Sequence, residues 1–191
     1  MRPSVRFALL FAGIFVAVKL IFMELNVFQD NIQVPGLINN FLLLTAISLG
    51  LLYEKKREGF GEGGPMSDIK NALRAGAPYV LLVSAFIYFY YDTINPSFVE
   101  SGIEVRMDMI YKDMERESYV DSLKMHRSEF QVLTDEEILR EAKREIESNL
   151  SPRTMFTFSL LGLLILAVSY SILITLIYRK ILFKDYYKGK D

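Results

Sequence analysis

Four apolar stretches organise this chain. Residues 34–53, 75–91 and 154–178 contain no Asp, Glu, Lys or Arg over 20, 17 and 25 positions, and residues 7–23 are interrupted only by Lys19. A bilayer core of roughly 30 Å is crossed by about 20 mostly apolar helical residues, and only helices and closed barrels satisfy their backbone there. The pattern therefore predicts four transmembrane helices, over about 7–28, 34–53, 75–94 and 152–178. The first could also be read as a signal peptide. A retained helix is the expectation, because no small-x-small cleavage site follows it and Lys19 and Glu24 stand where cleavage would fall.

Between the third and fourth stretches the pattern changes period. Val99, Ile103, Met107, Ile110 and Met114 step by four, four, three and four residues, an apolar stripe on one helix, with Glu104, Arg106, Asp108, Lys112 and Asp113 between them. Thr134 followed by Glu137 is a capping box. It opens a second helix, with Ile138, Ala142 and Ile146 on its apolar side and mixed i,i+4 charges at Glu136–Arg140, Glu137–Glu141 and Glu141–Glu145. Residues 97–150 thus read as a helical hairpin inserted into a single membrane domain. Short amphipathic helices are marginal alone in water. The stripe either packs within the hairpin over the mouth of the bundle, docks a partner, or lies on lipid. The acidic balance disfavours the last, since interfacial helices are usually basic.

Charge sets the direction. Arg2 and Arg6 precede the first span; Lys55, Lys56, Arg57, Lys70 and Arg74 surround the second connection; Arg179, Lys180, Lys184, Lys188 and Lys190 follow the last span; the first connection holds only Glu24 and Asp30. The positive-inside rule predicts a multi-pass protein of the cytoplasmic membrane with both termini in the cytoplasm. The connection at 92–153 carries nine basic and fifteen acidic residues, but loops of its length largely escape that rule. It is expected outside. Tyr88, Tyr90 and Tyr91 near the outer end of span three, and Tyr170 and Tyr178 towards the inner end of span four, fit interfacial belts, although Tyr170 is deep enough to pack between helices instead. Residues 67–76 read as a surface helix leading into a short third span, with Ser67 as its cap and Pro78 near the span's start. Ser151 and Pro152 open the fourth.

Composition narrows the chemistry. Twenty-two Lys and Arg against 23 Asp and Glu leave a net charge of −1, so no nucleic-acid partner is suggested. The absence of cysteine excludes disulfides, thiolate metal sites and a cysteine nucleophile, and a single histidine makes the usual zinc and iron sites poor expectations. No cofactor is implied, and no catalytic residue is nominated.

The candidate intramembrane polar site consists of Lys19, Asn39, Asn40 and Asp92. Lys19 lies about 18 Å along its helix from Phe7, so its stem either snorkels to the outer interface or its ammonium pairs with Asp92. Asn39, Asn40, Thr45 and Ser48 on the second span and Ser159, Ser169, Ser171 and Thr175 on the fourth either line a cavity or bond helix to helix, the simpler account. Ala167, Ser171 and Thr175, and likewise Gly13 and Ala17, are spaced for close helix approach. Residues 59–64 satisfy G-x-G-x-x-G, but after a span rather than a strand, and so predict a flexible turn. Lys55, Lys56 and Arg57 anchor topology or attract anionic headgroups. His126, beside Lys124 and Arg127, reads as a solvated residue.

With this layout the chain resembles a family of small bacteroidete membrane proteins catalogued only as a domain of unknown function. The matching pieces are the lead-in at 67–76, the Tyr-rich end of span three running into Ile94-Asn95-Pro96-Ser97-Phe98, the acidic helices, and the return through Leu150-Ser151-Pro152. The resemblance implies a four-span bacterial inner-membrane protein and supplies no activity. The expectation is an all-α up-down bundle with an extracytoplasmic hairpin. Functionally it is a non-catalytic accessory or assembly protein acting through that hairpin, whose partner surface would be Val99, Ile103, Met107, Ile110 and Met114. The bilayer, a membrane-protein partner or a homodimer are the expected associations. The alternative is a small carrier or binder of a lipid or apolar solute.

Overall fold

The computed structural model describes residues 1–28, 33–116, 119, 122, 125, 126 and 130–187. Expectations attached to Asp30, Lys124, Arg127, Lys188 and Lys190 lie outside these residues. The described chain is helical: α1 (Pro3–Glu24), α2 (Gln33–Glu58), α3 (Pro65–Phe89), α4 (Ser97–Met114), α5 (Asp135–Leu150), α6 (Pro152–Ile177) and a short α7 (Lys184–Tyr187). Wide π-helical turns extend α3 over Tyr90–Ile94 and α6 over Tyr178–Leu182. Four segments are long and apolar enough to cross a membrane, of 22, 26, 30 and 31 residues. The chain forms two compact units, Met1–Ile87 with Thr157–Asp191, and Tyr88–Phe156.

In the first unit, the end of α1 differs from the sequence expectation. The apolar pattern runs on through Leu25, Val27 and Phe28, yet the helix stops at Glu24. Asn26 adopts φ 52°, its N–H bonds the Met23 carbonyl at 3.1 Å, and the Val27 N–H bonds that of Phe22 at 2.9 Å. This is a Schellman closure, and asparagine is one of the few residues that enters the left-handed region at low cost. The ring of Phe28 then folds back edge-on to Phe22, 5.3 Å between centroids.

The third span is not short. α3 begins at Pro65, where proline occupies the first helical turn without wasting a donor, and continues unbroken past Pro78. Ser67 is therefore inside the helix rather than its cap, and 67–76 is no separate surface helix. Its polar residues Asp68 and Asn71 are buried and partnered by neighbouring helices. Pro78 removes one i→i−4 bond, to the Arg74 carbonyl, a loss that transmembrane helices accommodate.

The core of this unit is a stack of small and branched side chains: Ala8, Ala12 and Phe15 from α1, Leu43, Ala46, Ile47 and Leu51 from α2, Ala72, Tyr79, Val80 and Val83 from α3, and Leu163, Ala167 and Ile174 from α6. Small residues set the approach of the helices. A Cβ built on Gly50 would stand 2.6 Å from the Ala75 Cβ, and one on Gly76 would meet Ala167 at 3.1 Å and Ile47 at 3.2 Å. Ala167, Ser171 and Thr175 are buried, in keeping with close packing. Gly13 and Ala17 are exposed, with open space beyond Gly13.

In the second unit, α4 and α5 pack against each other. The two run antiparallel, because Gly102 near the start of α4 meets Leu150 at the end of α5. Met107, Phe130, Ile138 and Leu150 are buried in it. Thr134 and Glu137 form the expected reciprocal cap, the Thr134 N–H donating to Glu137 Oε2 at 2.8 Å and the Glu137 N–H to Thr134 Oγ1 at 3.4 Å. Those hydrogen bonds, from the Thr134 N–H first and its hydroxyl second, with Arg140 adding attraction, hold the Glu137 carboxyl below its usual range. Ser151 caps α6 through the Thr154 N–H at 3.3 Å. Tyr90 and Tyr91 are buried rather than displayed in a belt: their rings meet edge-on at 5.1 Å, and Tyr91 packs on Phe98 at 5.0 Å.

Candidate functional site: the polar interior of the bundle

The polar residues of α2 stand at intervals that point them at two different neighbours. Asn39 is buried, and the Tyr79 hydroxyl on α3 donates to its Oδ1 at 2.7 Å and lies 3.1 Å from its carbonyl. Asn40, one residue on and turned through 100°, accepts from the Tyr170 hydroxyl on α6 at 2.6 Å. Two turns further along, Ser48 meets the Tyr178 hydroxyl at 2.6 Å. Each pair joins α2 to a partner helix by a hydroxyl whose ring adds apolar contact, and a buried polar group without such a partner would be costly. Thr45 and Ser171 bond back to the Phe41 and Ala167 carbonyls of their own helices. Among the described residues, the buried hydroxyls of Ser84 and Thr175 have no hydrogen-bond partner.

The four residues nominated from the sequence occupy separate places. Asn39 and Asn40 are adjacent but serve different helices. Lys19 is half-buried on α1 and is not isolated. Asp92 is exposed in the π-helical turn of the second unit, accepting from the Thr93 hydroxyl at 3.2 Å. The α4 stripe faces inward: Met107 is buried and Val99, Ile103, Ile110 and Met114 are half-buried, whereas Val105, Met109 and Tyr111 are the exposed apolar residues of that helix. His126 is exposed, with Nδ1 2.8 Å from the Ser122 carbonyl.

A second polar group, which the sequence reading passed over, lies where the start of α1, the end of α2, the start of α3 and the end of α6 converge. Asp68 accepts from Lys55 Nζ at 2.9 Å on one oxygen and from Arg179 Nη1 at 2.7 Å on the other. Lys55 also donates to the Glu62 carbonyl, and Arg179 to that of Gly63 at 3.3 Å. Glu54, fully buried, accepts from Ser4 Oγ at 2.9 Å and has Arg57 3.1 Å from its other oxygen. Glu58 accepts from Asn71, which in turn accepts from Arg74.

Lys55 is therefore an interior ion-pair partner rather than a headgroup anchor, while Lys56 and Arg57 are exposed. The loop at 59–64 is correspondingly tied down rather than free. Gly59 (φ 105°) and Gly63 (φ 79°) supply its two left-handed turns, and the carbonyls of Glu62 and Gly63 are claimed by cations.

A signal for this cluster exists in the sequence. The buried face of α2 runs Leu43, Ile47, Gly50, Leu51, and the same spacing carried past Tyr53 reaches Glu54 and Lys55. The buried face of α3 traced back from Tyr79 through Ala75 and Ala72 reaches Asp68. Treating charge as the end of a span hides this, because a buried face can continue beyond the apolar run. The convergence also orders the four long helices alternately up and down, as the arrangement of the apolar stretches predicted.

A family model described as Protein of unknown function (DUF4199) matches residues 6–180. No curated protein and no solved structure matches the chain.

Proposed function

We propose that this chain, which belongs to the DUF4199 family, is a non-catalytic accessory protein of the cytoplasmic membrane. In this reading both termini are cytoplasmic and α4 and α5 stand on the opposite side, where they bind a membrane-protein partner or a second copy. The observation that supports it is how the polar side chains are used. Asn39, Asn40 and Ser48 are engaged by tyrosines, and the charges at the helix ends pair with each other, so the spans use their polar groups to hold one another. The α4–α5 unit instead turns its charges outward around a small apolar interior, and Val105 and Met109, one turn apart, give a partner an apolar foothold.

A carrier or binder of a lipid or apolar solute is the second reading. It draws on the buried, unpartnered hydroxyls of Ser84 and Thr175, which a bound polar group would satisfy.

The test is native mass spectrometry of tagged protein released gently from its own membranes, beside a variant in which residues 98–149 are replaced by a short flexible linker. A stoichiometric partner or dimer that the replacement abolishes is the expected result. Complexes of identical composition in both would overturn the accessory reading. A small adduct retained by both would support the carrier.

A further inference from the structure

The segment following α6 closes over the turn between α2 and α3. Arg179 reaches Asp68 and the Gly63 carbonyl; Phe183 is buried against Phe60 at 4.9 Å and Tyr178 at 5.4 Å; Tyr186 packs at a tilt on Phe60 at 5.2 Å. The Tyr186 carbonyl lies 2.9 Å from where a Cβ on Gly61 would be, so the turn and the strap fit closely only because that position is glycine. From these contacts we infer that residues 178–187 form a releasable strap, docked on the α2–α3 turn in one state and drawn onto an anionic membrane surface in the other.

Charge accounting makes the release feasible. Asp68 carries two cations, and they are not equivalent: the side chains of Lys55 and Asp68 are 1% and 3% exposed, whereas that of Arg179 is 21% exposed. Breaking a buried pair is strongly unfavourable because it leaves an uncompensated charge. Withdrawing Arg179 leaves none, since Asp68 keeps Lys55 and the guanidinium moves into solvent.

The hinge is built in. Regular α-helix ends at Ile177, and the following turn is π-helical, closed by the Phe183 N–H on the Tyr178 carbonyl at 2.7 Å; such turns interrupt a helix where it is re-aimed. Beyond it, α7 has only four residues, too few to persist without its contacts.

The released strap has a destination. Arg179, Lys180 and Lys184 follow the charge-free run 154–178, where a span that crosses the bilayer would bring them to the headgroups, and Lys180 and Lys184 are already exposed. Phosphate on an anionic lipid competes with the Asp68 carboxylate for Arg179.

The chain has no cysteine, so a spin-label pair at Met66→Cys and Leu182→Cys, both exposed and uncharged positions, reports the distance from turn to strap with every basic residue of the strap kept. In phosphatidylcholine vesicles a dominant short distance and a minor longer one are expected. Adding phosphatidylglycerol should raise a longer population about fivefold, the factor for one basic residue gaining an anionic surface. Arg179→Gln, which keeps Lys55 on Asp68, should raise it about two- to fivefold in phosphatidylcholine alone. An unchanged distance distribution in Arg179→Gln overturns the latch. No response to phosphatidylglycerol, or an equal response to inorganic phosphate in neutral vesicles, overturns the membrane surface as the competing partner.

Discussion

The two units of this protein solve opposite solvent problems with the same kind of helix. In the first, the exposed surface of α1 and α6 is mostly Leu, Ile, Val and Phe, and the polar side chains Asn39, Asp68, Asn71 and Lys55 are inside. In the second, Met107, Phe130, Ile138 and Leu150 are inside, and the acidic and basic residues of α5 are outside. The difference shows that polarity alone does not place a residue. Lys55, in the last turn of α2, and Lys143, in the middle of α5, are the same side chain; one is buried on a carboxylate and the other lies exposed, 3.8 Å from Glu147 one turn away. What separates them is whether a third helix covers the face on which they stand.

The sharpest way to break this comparison is to remove one member of the interior ion pairs. Asp68→Ala leaves Lys55 buried and Arg179 without its carboxylate, and should cost about 3–5 kcal/mol, the range for stripping a partner from a buried charge. Unfolding in mixed micelles measures it. Lys55→Met with Asp68→Leu should recover most of that loss, since apolar pairs of similar volume replace buried ion pairs at little cost. If the single and double variants lose the same amount, the cluster is not held by charge.

The complementary break lies in the second unit. Ile138→Ala should destabilise the α4–α5 packing by about 2 kcal/mol, the lower end for truncating a buried branched side chain. Hydrogen exchange should show faster exchange in α5 with the protection of α2 and α3 unchanged. Equal loosening of both units would mean that they do not fold as separate bodies.

A smaller effect is expected of Tyr79→Phe. It removes one hydroxyl from Asn39 and keeps the ring, and interhelical hydrogen bonds in membranes average about 0.6 kcal/mol. The same micelle assay applies. A loss several times greater would give Asn39 a role beyond joining α2 to α3.

The smallest effect is the pH response of the α5 cap. The Glu137 carboxyl is held low by Thr134, so its contribution is present above the pH at which the unfolded carboxyl ionises and fades as pH falls through the depressed folded value. Protection of the Thr134 amide should follow that titration. Thr134→Val should move the Glu137 titration back up towards its ordinary range.

Much of the architecture was legible in one dimension because it is set by runs and periods. The number of spans follows from the cost of leaving polar backbone in hydrocarbon, and the start of α5 follows from a cap that closes within four residues. The inward orientation of Met107 on α4 and of Ile138 on α5 follows from one-face periodicity, though the period does not say whether the face meets a neighbour or a partner.

Less was legible at the site. Tyr79 sits amid an apolar run and gives no local sign that its hydroxyl serves Asn39, 40 positions away. Glu54 and Asp68 resemble the hydrophilic flanks of spans two and three until the buried faces of α2 and α3 are traced through them.

Local chemistry was enough for the elements, their ends and their apolar faces, since those energies act between residues a few positions apart. The pairing of those faces needed the folded molecule. Asp68 joins Lys55 across 13 positions and Arg179 across 111, and Tyr170 finds Asn40 across 130. Close approach of the helices accompanies them, at Gly50 against Ala75 and at Gly76 against Ala167 and Ile47. At that separation a carboxylate between two cations is held by its neighbours instead of by solvent, a condition set by four helices together.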